Sequence, residues 1–445
     1  MTEGPVQHRE PQRLSPLTPF VRGPILILAF IGASWDDLLL DRNGDIGLTG
    51  IILGVLLVAG AAYGLVSWLV TKYWIDASEL RIDTGVLFRQ SRRIRIDRLQ
   101  GVDIVQPLLA RVFGLAELRF DTAGGEREGA LAFLPHSRAL ALRRLLLERR
   151  DDLRGDATEP DVRPERVLAR LDLGLLLASL ALSTEMLWVL ATIAAMVAAY
   201  WLTGSFAIVG GIIPAVLALG IALVRRLTAS YGFVVAESAE GLHVRRGLTS
   251  LSSQTINPAR IQGLVLHEPL LWRHRGWARL EVSVAGYESG QGDQAQASSM
   301  LMPVAPMEQV HELARHVLGR DVRTVPLVRP PARARWLAPL SAWTLALGQD
   351  ADLLVSRRGF WVRRLDVVPL GRVQSVRLAQ GPLRRRFALA DVHVDSPPGP
   401  VRVHGALREP HDARSYLVGA VEGYRALRSP QARSALAPPL PDTTQ

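Results

Sequence analysis

The sequence predicts an α+β multi-domain membrane protein in which transmembrane helical hairpins carry three small β-barrel domains, each closed by a C-terminal helix. Three observations predict it: two long apolar regions, a 41-residue pattern that recurs three times, and a chain too apolar for the charge it carries. The 445 residues are 48% hydrophobic and 21% charged, with a formal net charge of +10, and the mean hydropathy is +0.16. At roughly 150 residues per domain the length suggests about three units. The chain has no cysteine, which excludes disulfide frameworks, thiol catalysis and cysteine-ligated metals. Of its 52 basic residues only Lys72 is a lysine. A sequence pI near 10.7 raises nucleic acid as a partner until the charge is placed relative to a membrane.

Residues 1–16 read as a polar cytoplasmic tail without the basic and short apolar segments of a signal peptide. The first transmembrane hairpin is expected over 17–71. Its second half, Gly50 to Thr71, is an uncharged run of 22 residues, about 33 Å as a helix against a hydrocarbon core of about 30 Å. Lys72, Tyr73 and Trp74 follow it, a cation and two aromatics suited to an interface. The first half is less apolar, with Arg22 near one end and Asp36 and Asp37 near the other. Domain one is then expected over 72–155 and a linker over 156–170. A second hairpin at 171–226 divides at Thr203-Gly204-Ser205 into spans within Leu173–Leu202 and Phe206–Val224. Arg163, Arg166 and Arg170 precede this hairpin and Arg225 and Arg226 follow it. By the positive-inside rule both termini and the polar domains are cytoplasmic. Domain two is expected over 227–319, a Pro/Arg linker with a candidate interfacial helix over 320–349, domain three over 350–428 and a disordered tail over 429–445.

The repeat gives the domains their common form. Leu80–Phe120 aligns without a gap on Leu242–Val282, 162 positions on, and on Leu354–Val394, 274 positions on. Gly85, Gly247 and Gly359 each fall between two short β-like runs, where a hairpin turn favours a residue that accepts positive φ. Arg98, Arg260 and Arg372 each precede an apolar run of alternating character and read as structural, bracing turns or pairing with carboxylates. Leu109, Leu271 and Leu383 are each followed two residues later by an arginine: Arg111, Arg273 and Arg385. Helix-like segments at Ser137–Arg150, Met307–Leu318 and His411–Arg425 close the copies. Each unit is therefore a set of short antiparallel strands, a small β-barrel or curled sheet plugged by an amphipathic helix.

Arg98-Leu99-Gln100-Gly101-Val102-Asp103-Ile104, Pro107-Leu108-Leu109-Ala110-Arg111, Gly114-Leu115-Ala116-Glu117-Leu118 and Thr122-Ala123-Gly124-Gly125, with hairpins alternating with polar domains, resemble the bacterial membrane-flanked pleckstrin-homology-like (PH-like) family in its multi-domain form. The resemblance implies seven strands and a C-terminal helix per domain, a place in the bacterial plasma membrane and no catalytic activity. It also implies a hairpin before every domain, whereas only Trp336–Leu347 precedes the third. At twelve residues that segment is about 18 Å as a helix and does not cross a bilayer. Trp336, Leu337, Leu340, Trp343 and Leu347 would share one helical face with Arg329, Arg333 and Arg335 upstream. Such a face lies on an anionic membrane or packs on a neighbouring domain.

No reactive constellation stands out. His311 and His316 are five apart and fall on different helical faces, no phosphate loop or nucleophile elbow is present, and the expectation is no enzyme, no metal and no cofactor. Glu185, inside the second apolar region, is a candidate intramembrane polar site, although the region is long enough for the span to slide and leave it at an interface. Arg89, Arg92 and Arg93 in copy one and Arg384, Arg385 and Arg386 in copy three are candidate contacts for anionic lipid or a protein partner. Their bland reading is a solvated strand face. Arginines dispersed among 42 acidic residues without aromatic stacking platforms disfavour nucleic acid. The expected function is a non-enzymatic scaffold that binds membrane lipid and protein partners or copies of itself. Its alternative is a component of a transport or export system.

Overall fold

The computed structural model describes residues 12–13, parts of 54–70, and 71–76, 78–84, 90–122, 129–154, 165–204, 206–238, 241–285, 299–397 and 399–428. The first expected hairpin, 17–71, and the expected tail 429–445 therefore lie almost wholly or wholly outside the described residues. The chain forms two compact units, Met1–Arg163 with Gly247–Thr255, and Pro164–Arg246 with Ile256–Gln445.

In the first unit the strands are β1 (Gln12–Arg13), β2 (Lys72–Ile75), β3 (Glu79–Thr84), β4 (Gln90–Arg95) and β5 (Leu99–Pro107). A short helix α1 (Leu108–Val112), strands β6 (Leu115–Thr122) and β7 (Gly129–Pro135) and helix α2 (His136–Arg154) follow. The antiparallel ladders run β1-β2-β3-β4 and β5-β6-β7. Alternation along the strands sends Leu80, Ile82, Ile94, Val102, Ile104, Leu118 and Phe120 to one core, which Leu142 and Leu146 of α2 close.

The second unit continues with β8 (Arg166–Arg170), α3 (Leu173–Ala181), α4 (Thr184–Thr203), α5 (Phe206–Ser230), β9 (Val234–Ser238) and β10 (Gly241–Arg246). Strand β11 (Ser250–Ile256) lies almost entirely in the first unit. Strand β12 (Ile261–Pro269), α6 (Leu270–Arg275), β13 (Trp277–Val284), β14 (Met300–Pro306) and α7 (Met307–Leu318) complete repeat two. Repeat three comprises β15 (Ala346–Gln349), β16 (Leu353–Arg358), β17 (Val362–Pro369), β18 (Ser375–Ala379), α8 (Pro382–Arg386), β19 (Ala390–Asp395), β20 (His404–Arg408) and α9 (Pro410–Arg428). Arg166–Arg170, expected as linker, is the first strand of repeat two and pairs with β9. The three helices α3, α4 and α5 are thus inserted between the first and second strands of the repeat. Repeat three keeps only a vestige of its first strand, the bridge Val328↔Leu347, and has a short irregular segment where repeat two has helices.

The strands do not curl into barrels. Among the described residues no sheet closes on itself, because the fifth strand of a repeat turns from its own fourth strand to the fourth strand of the next. Strand β5 pairs with β11 inside the first unit, and β12 pairs with β17 inside the second. The β12–β17 seam joins two cores: Leu264, Leu266 and Val367 point into that of repeat two, while Val265 and Val368 point into that of repeat three. Fully burying each such side chain is worth about 1.5–3 kcal/mol, so the two repeats share a load neither core carries alone. Two of the three hairpin glycines behave as their spacing predicts: Gly247 and Gly359 have φ of 106° and 92°, and a Cβ there would collide with the carbonyl oxygens of Ser250 and Val362; Gly85 lies outside the described residues.

The apolar region 171–226 breaks at Gly204, within the expected Thr203-Gly204-Ser205 division, and has a further break at Leu182 and Ser183 that sets off a third helix. Helix α3 ends at Ala181 with Leu182 as its C-cap, and Ser183 caps a new helix by accepting from the Met186 amide at 3.2 Å. Leu176, Ser179 and Leu180 of α3 are buried against the core of repeat two. The long helix therefore begins at Thr184 and ends at the left-handed Gly204. Among the described residues this one helix is long and apolar enough to cross a bilayer, and none of its most apolar stretch is buried.

Candidate functional site

Apart from α4, an exposed apolar face of the second unit is built at the hairpin between β16 and β17. Gly359 turns the chain so that Phe360, Trp361 and Val362 stand out, with Trp361 71% exposed. The irregular segment 332–345 adds Trp336 and Leu340, each 81% exposed, and Trp343 at 47%. Trp343 meets Phe360 edge-on at 5.4 Å, and Phe360 meets Trp361 at 5.1 Å. Soluble monomers seldom expose a contiguous apolar group of this kind unless something covers it.

The segment departs from the expected interfacial helix. It forms a 3-10 turn at Ala332–Trp336 and further turns to Thr344, because Pro339 removes an amide and clashes with the preceding turn. Its one-sided apolar face is split. Ala334 and Ala342 pack on Leu389 and Leu407 of repeat three, and Leu347 is fully buried on β15. Trp336, Leu340 and Trp343 remain outside.

Two arginines adjoin this face: Arg363 follows Val362 on β17, and Arg357 on β16 donates to the Thr344 carbonyl at 3.4 Å. Burial, then the like charges of Arg363 and Arg329, lowers the pKa of Arg357. Glu268 offsets part of that charge by pairing with Arg363 at 3.3 Å. A set of cations held together beside exposed aromatics favours an anion over water alone.

A chain of bonds ties this face to the start of the apolar helix. The Leu270 amide donates to the Trp361 carbonyl at 2.8 Å. Arg273 donates to the Phe360 carbonyl at 3.3 Å. Trp272, buried between them in α6, donates from its indole to the Ser179 carbonyl at 3.0 Å, four residues before Ser183 caps α4. Glu185 lies in the first turn of α4 and pairs with Arg226 of α5 at 2.7 Å. There it complements the helix dipole.

The other candidate residues fall as follows. Arg89 is outside the described residues, and Arg92 and Arg93 lie on β4 with exposed side chains. Arg384, Arg385 and Arg386 share the single turn of α8. Arg384 pairs at 2.8 Å with Asp391, whose side chain is 1% exposed. Burial works to raise the Asp391 carboxyl, but His404, the Leu407 amide and the Arg384 charge outweigh it and hold the group below the usual carboxylate range. Asp391, His393 and His404 form a compact donor cluster that the spacing of 391, 393 and 404 does not announce. The two rings stack at 4.4 Å, and burial followed by the His404 charge keeps His393 low. The carboxylate oxygen that His404 meets at 3.4 Å is the one that binds Arg384, so this donor is already engaged in an ion pair. Phe360 and Trp361 were not singled out from the sequence. Their one signal is an aromatic pair directly after a hairpin glycine.

A family profile described as "Bacterial PH domain" matches this chain three times, over residues 24–150, 166–321 and 325–416. The chain belongs to the bacterial PH domain family. The second match begins at the strand before the inserted helices, and the third begins at the vestigial first strand. One similar curated protein is the "UPF0699 transmembrane protein YdbT" of Bacillus subtilis (strain 168), 33% identical over 91 residues. That stretch is 20% of this chain and 18% of the relative.

Proposed function

We propose that this is a non-enzymatic integral protein of the bacterial plasma membrane whose bacterial PH repeats form a cytoplasmic scaffold lying against the lipid surface. The observation that carries the reading is the aromatic and basic face at Phe360 and Trp361, bonded through α6 to the start of the apolar helix Thr184–Thr203. A helix that enters the bilayer at Thr184 brings this face to the headgroup level. Trp rings prefer that depth, and Arg329, Arg357 and Arg363 meet anionic headgroups there. Repeat two is then held by spanning helices and repeat three by surface contact, with both fixed to each other by the β12–β17 seam.

Thermal stability of the detergent-purified full chain, titrated with short-chain phosphatidylglycerol or phosphatidylcholine, tests the reading. Stabilisation by the anionic lipid is expected. Each of Arg329→Gln and Arg357→Gln should weaken it by roughly fivefold, since one cation near an anionic surface contributes about 1 kcal/mol. Equal response to both lipids would contradict the reading.

A further inference from the structure

Strands β6, β13 and β19 occupy the same place in the three repeats, and two aligned positions on them are filled differently. Repeat one has Glu117 and Arg119, paired at 3.0 Å, and repeat two has Arg279 and Glu281, 3.7 Å apart. A carboxylate and a guanidinium two residues apart on one strand share a face and neutralise each other. Repeat three has Asp391 and His393 at these positions. The residue across the ladder changes as well. Arg119 faces Ala130 on β7 and Glu281 faces Met300 on β14, whereas His393 faces His404 on β20. The fold therefore does not require a carboxylate and two imidazoles here, and of the three repeats only the third brings them together.

Their spacing is that of a ligand set. One donor atom from each of Asp391, His393 and His404 lies within 4.8 Å of the other two. His404 Nε2 is 3.4 Å from Asp391 Oδ2, longer than an ordinary N–H···O bond. That nitrogen is buried and, among the described residues, has no hydrogen-bond partner. Two ligands about 2.1 Å from a tetrahedral ion are about 3.4 Å apart, so the separation matches one edge of such a shell. Asp391 is fixed from its other oxygen. Strand β20 sets both Ala406 and Leu407 against it, a bulge in which Leu407 takes a φ of 58° and its amide donates to Oδ1 at 2.9 Å. The two rings stack at 4.4 Å, so one must tilt for both to reach an ion.

The geometry points to a site for one divalent transition-metal ion of the zinc class, held by Asp391, His393 and His404 with water in the fourth position. Two imidazoles and a carboxylate suit zinc, cobalt or nickel, and not magnesium or calcium, which take oxygen ligands. Arg384 is the competitor. Its guanidinium binds Oδ2 at 2.8 Å, and its side chain is 39% exposed on the single turn of α8, so it can swing into water as the ion arrives. The ion then replaces one cation on a buried carboxylate by another, which leaves no charge stranded. Binding is weaker than at a site with no resident cation. It ties β19 to β20 and frees Arg384 beside Arg385 and Arg386.

The absence of cysteine gives the test a clean signature. The untagged full chain in detergent is titrated with Co2+ and, by competition with a chromophoric chelator, with Zn2+. One equivalent is expected that His404→Ala weakens by about tenfold or more. His316→Ala, at a separate pair with Glu237, should leave that equivalent unchanged. Arg384→Gln should tighten it by about tenfold, the worth of the charge-assisted hydrogen bond that competes. Where that variant is destabilised, its melting with and without Zn2+ reads the same competition, and a larger stabilisation than in the natural chain is expected. His393→Cys should bind Co2+ with a thiolate-to-cobalt charge-transfer band. A Zn2+ affinity indifferent to His404→Ala, or no tighter in Arg384→Gln, would overturn the inference. So would a His393→Cys chain that binds Co2+ without the band.

Discussion

Repeats two and three are built on one plan and differ in what lies between their first two strands. Repeat two inserts three helices between β8 and β9, whereas repeat three inserts an irregular stretch that shows Trp336, Leu340 and Trp343 to the outside. They also differ at the fifth strand. Strand β12 is paired on both sides, by β13 and β17, while β18 has only β19 among the described residues. The connection between the first two strands is thus a tolerant site where a repeat can carry helices or an exposed surface without disturbing the rest of its ladder. The fifth-strand edge is where repeats are joined in series. One position varies with what the connection carries, and the other is filled by a neighbouring repeat in the first two copies and, among the described residues, unfilled in the third.

The heaviest blow to this comparison falls on the seam. Asp366 is fully buried on β17, where it accepts from Arg364 at 2.7 Å and from the Arg402 amide at 2.9 Å and pairs with Arg358 at 3.4 Å. Asp366→Ala strands those cations and should cost about 3–5 kcal/mol, read as a lower denaturation midpoint of the second unit with both repeats lost together. Separate loss of repeat three would show that the two cores are independent. Next is the hairpin that presents the aromatic face. Gly359→Ala introduces a Cβ at positive φ against the Val362 carbonyl and should cost about 1–2 kcal/mol or more, visible by thermal melting.

A smaller effect separates the repeats by pH. Asp391 of repeat three has a depressed folded pKa, whereas repeat two has Arg279 at the matching position. A depressed carboxyl contributes stability above its unfolded pKa of about 3.9, and that contribution is lost as pH falls through the lower folded value. Below about pH 4 the melting temperature of the natural chain should drop more steeply than that of Asp391→Asn. Parallel curves would remove Asp391 from the account. Smallest is Glu185→Gln, which breaks a half-exposed pair with Arg226 worth about 0–1 kcal/mol. Little change in stability is expected, measured by melting in detergent.

Much of the repeat was legible because its signals are local. A glycine required by a hairpin, a leucine two residues before an arginine and an apolar face on a closing helix recur at fixed offsets whatever surrounds them. The role of Arg111 and Arg273 was not legible, since the carbonyls they clamp lie 137 and 87 residues away in another copy. The barrel expectation failed for the same reason: alternation tells which face of β5 or β12 is inward, but not which strand lies beside it. Residues 336–347 misled because the helical spacing of Trp336, Leu340 and Trp343 is real while Pro339 interrupts the helix. Phe360 and Trp361 sit on a hairpin tip, where no periodicity marks them. Asp391, His393 and His404 meet only through the pairing of β19 with β20.

The central claim is that repeat three rests on the lipid surface through its hairpin. A single cysteine at Trp361→Cys in the otherwise cysteine-free full chain, labelled with a bimane and reconstituted in anionic bilayers, tests it most directly. The account predicts strong quenching by a headgroup-region lipid quencher and weak quenching by aqueous iodide. Strong iodide quenching with an inert lipid quencher would place Trp361 in water and contradict it.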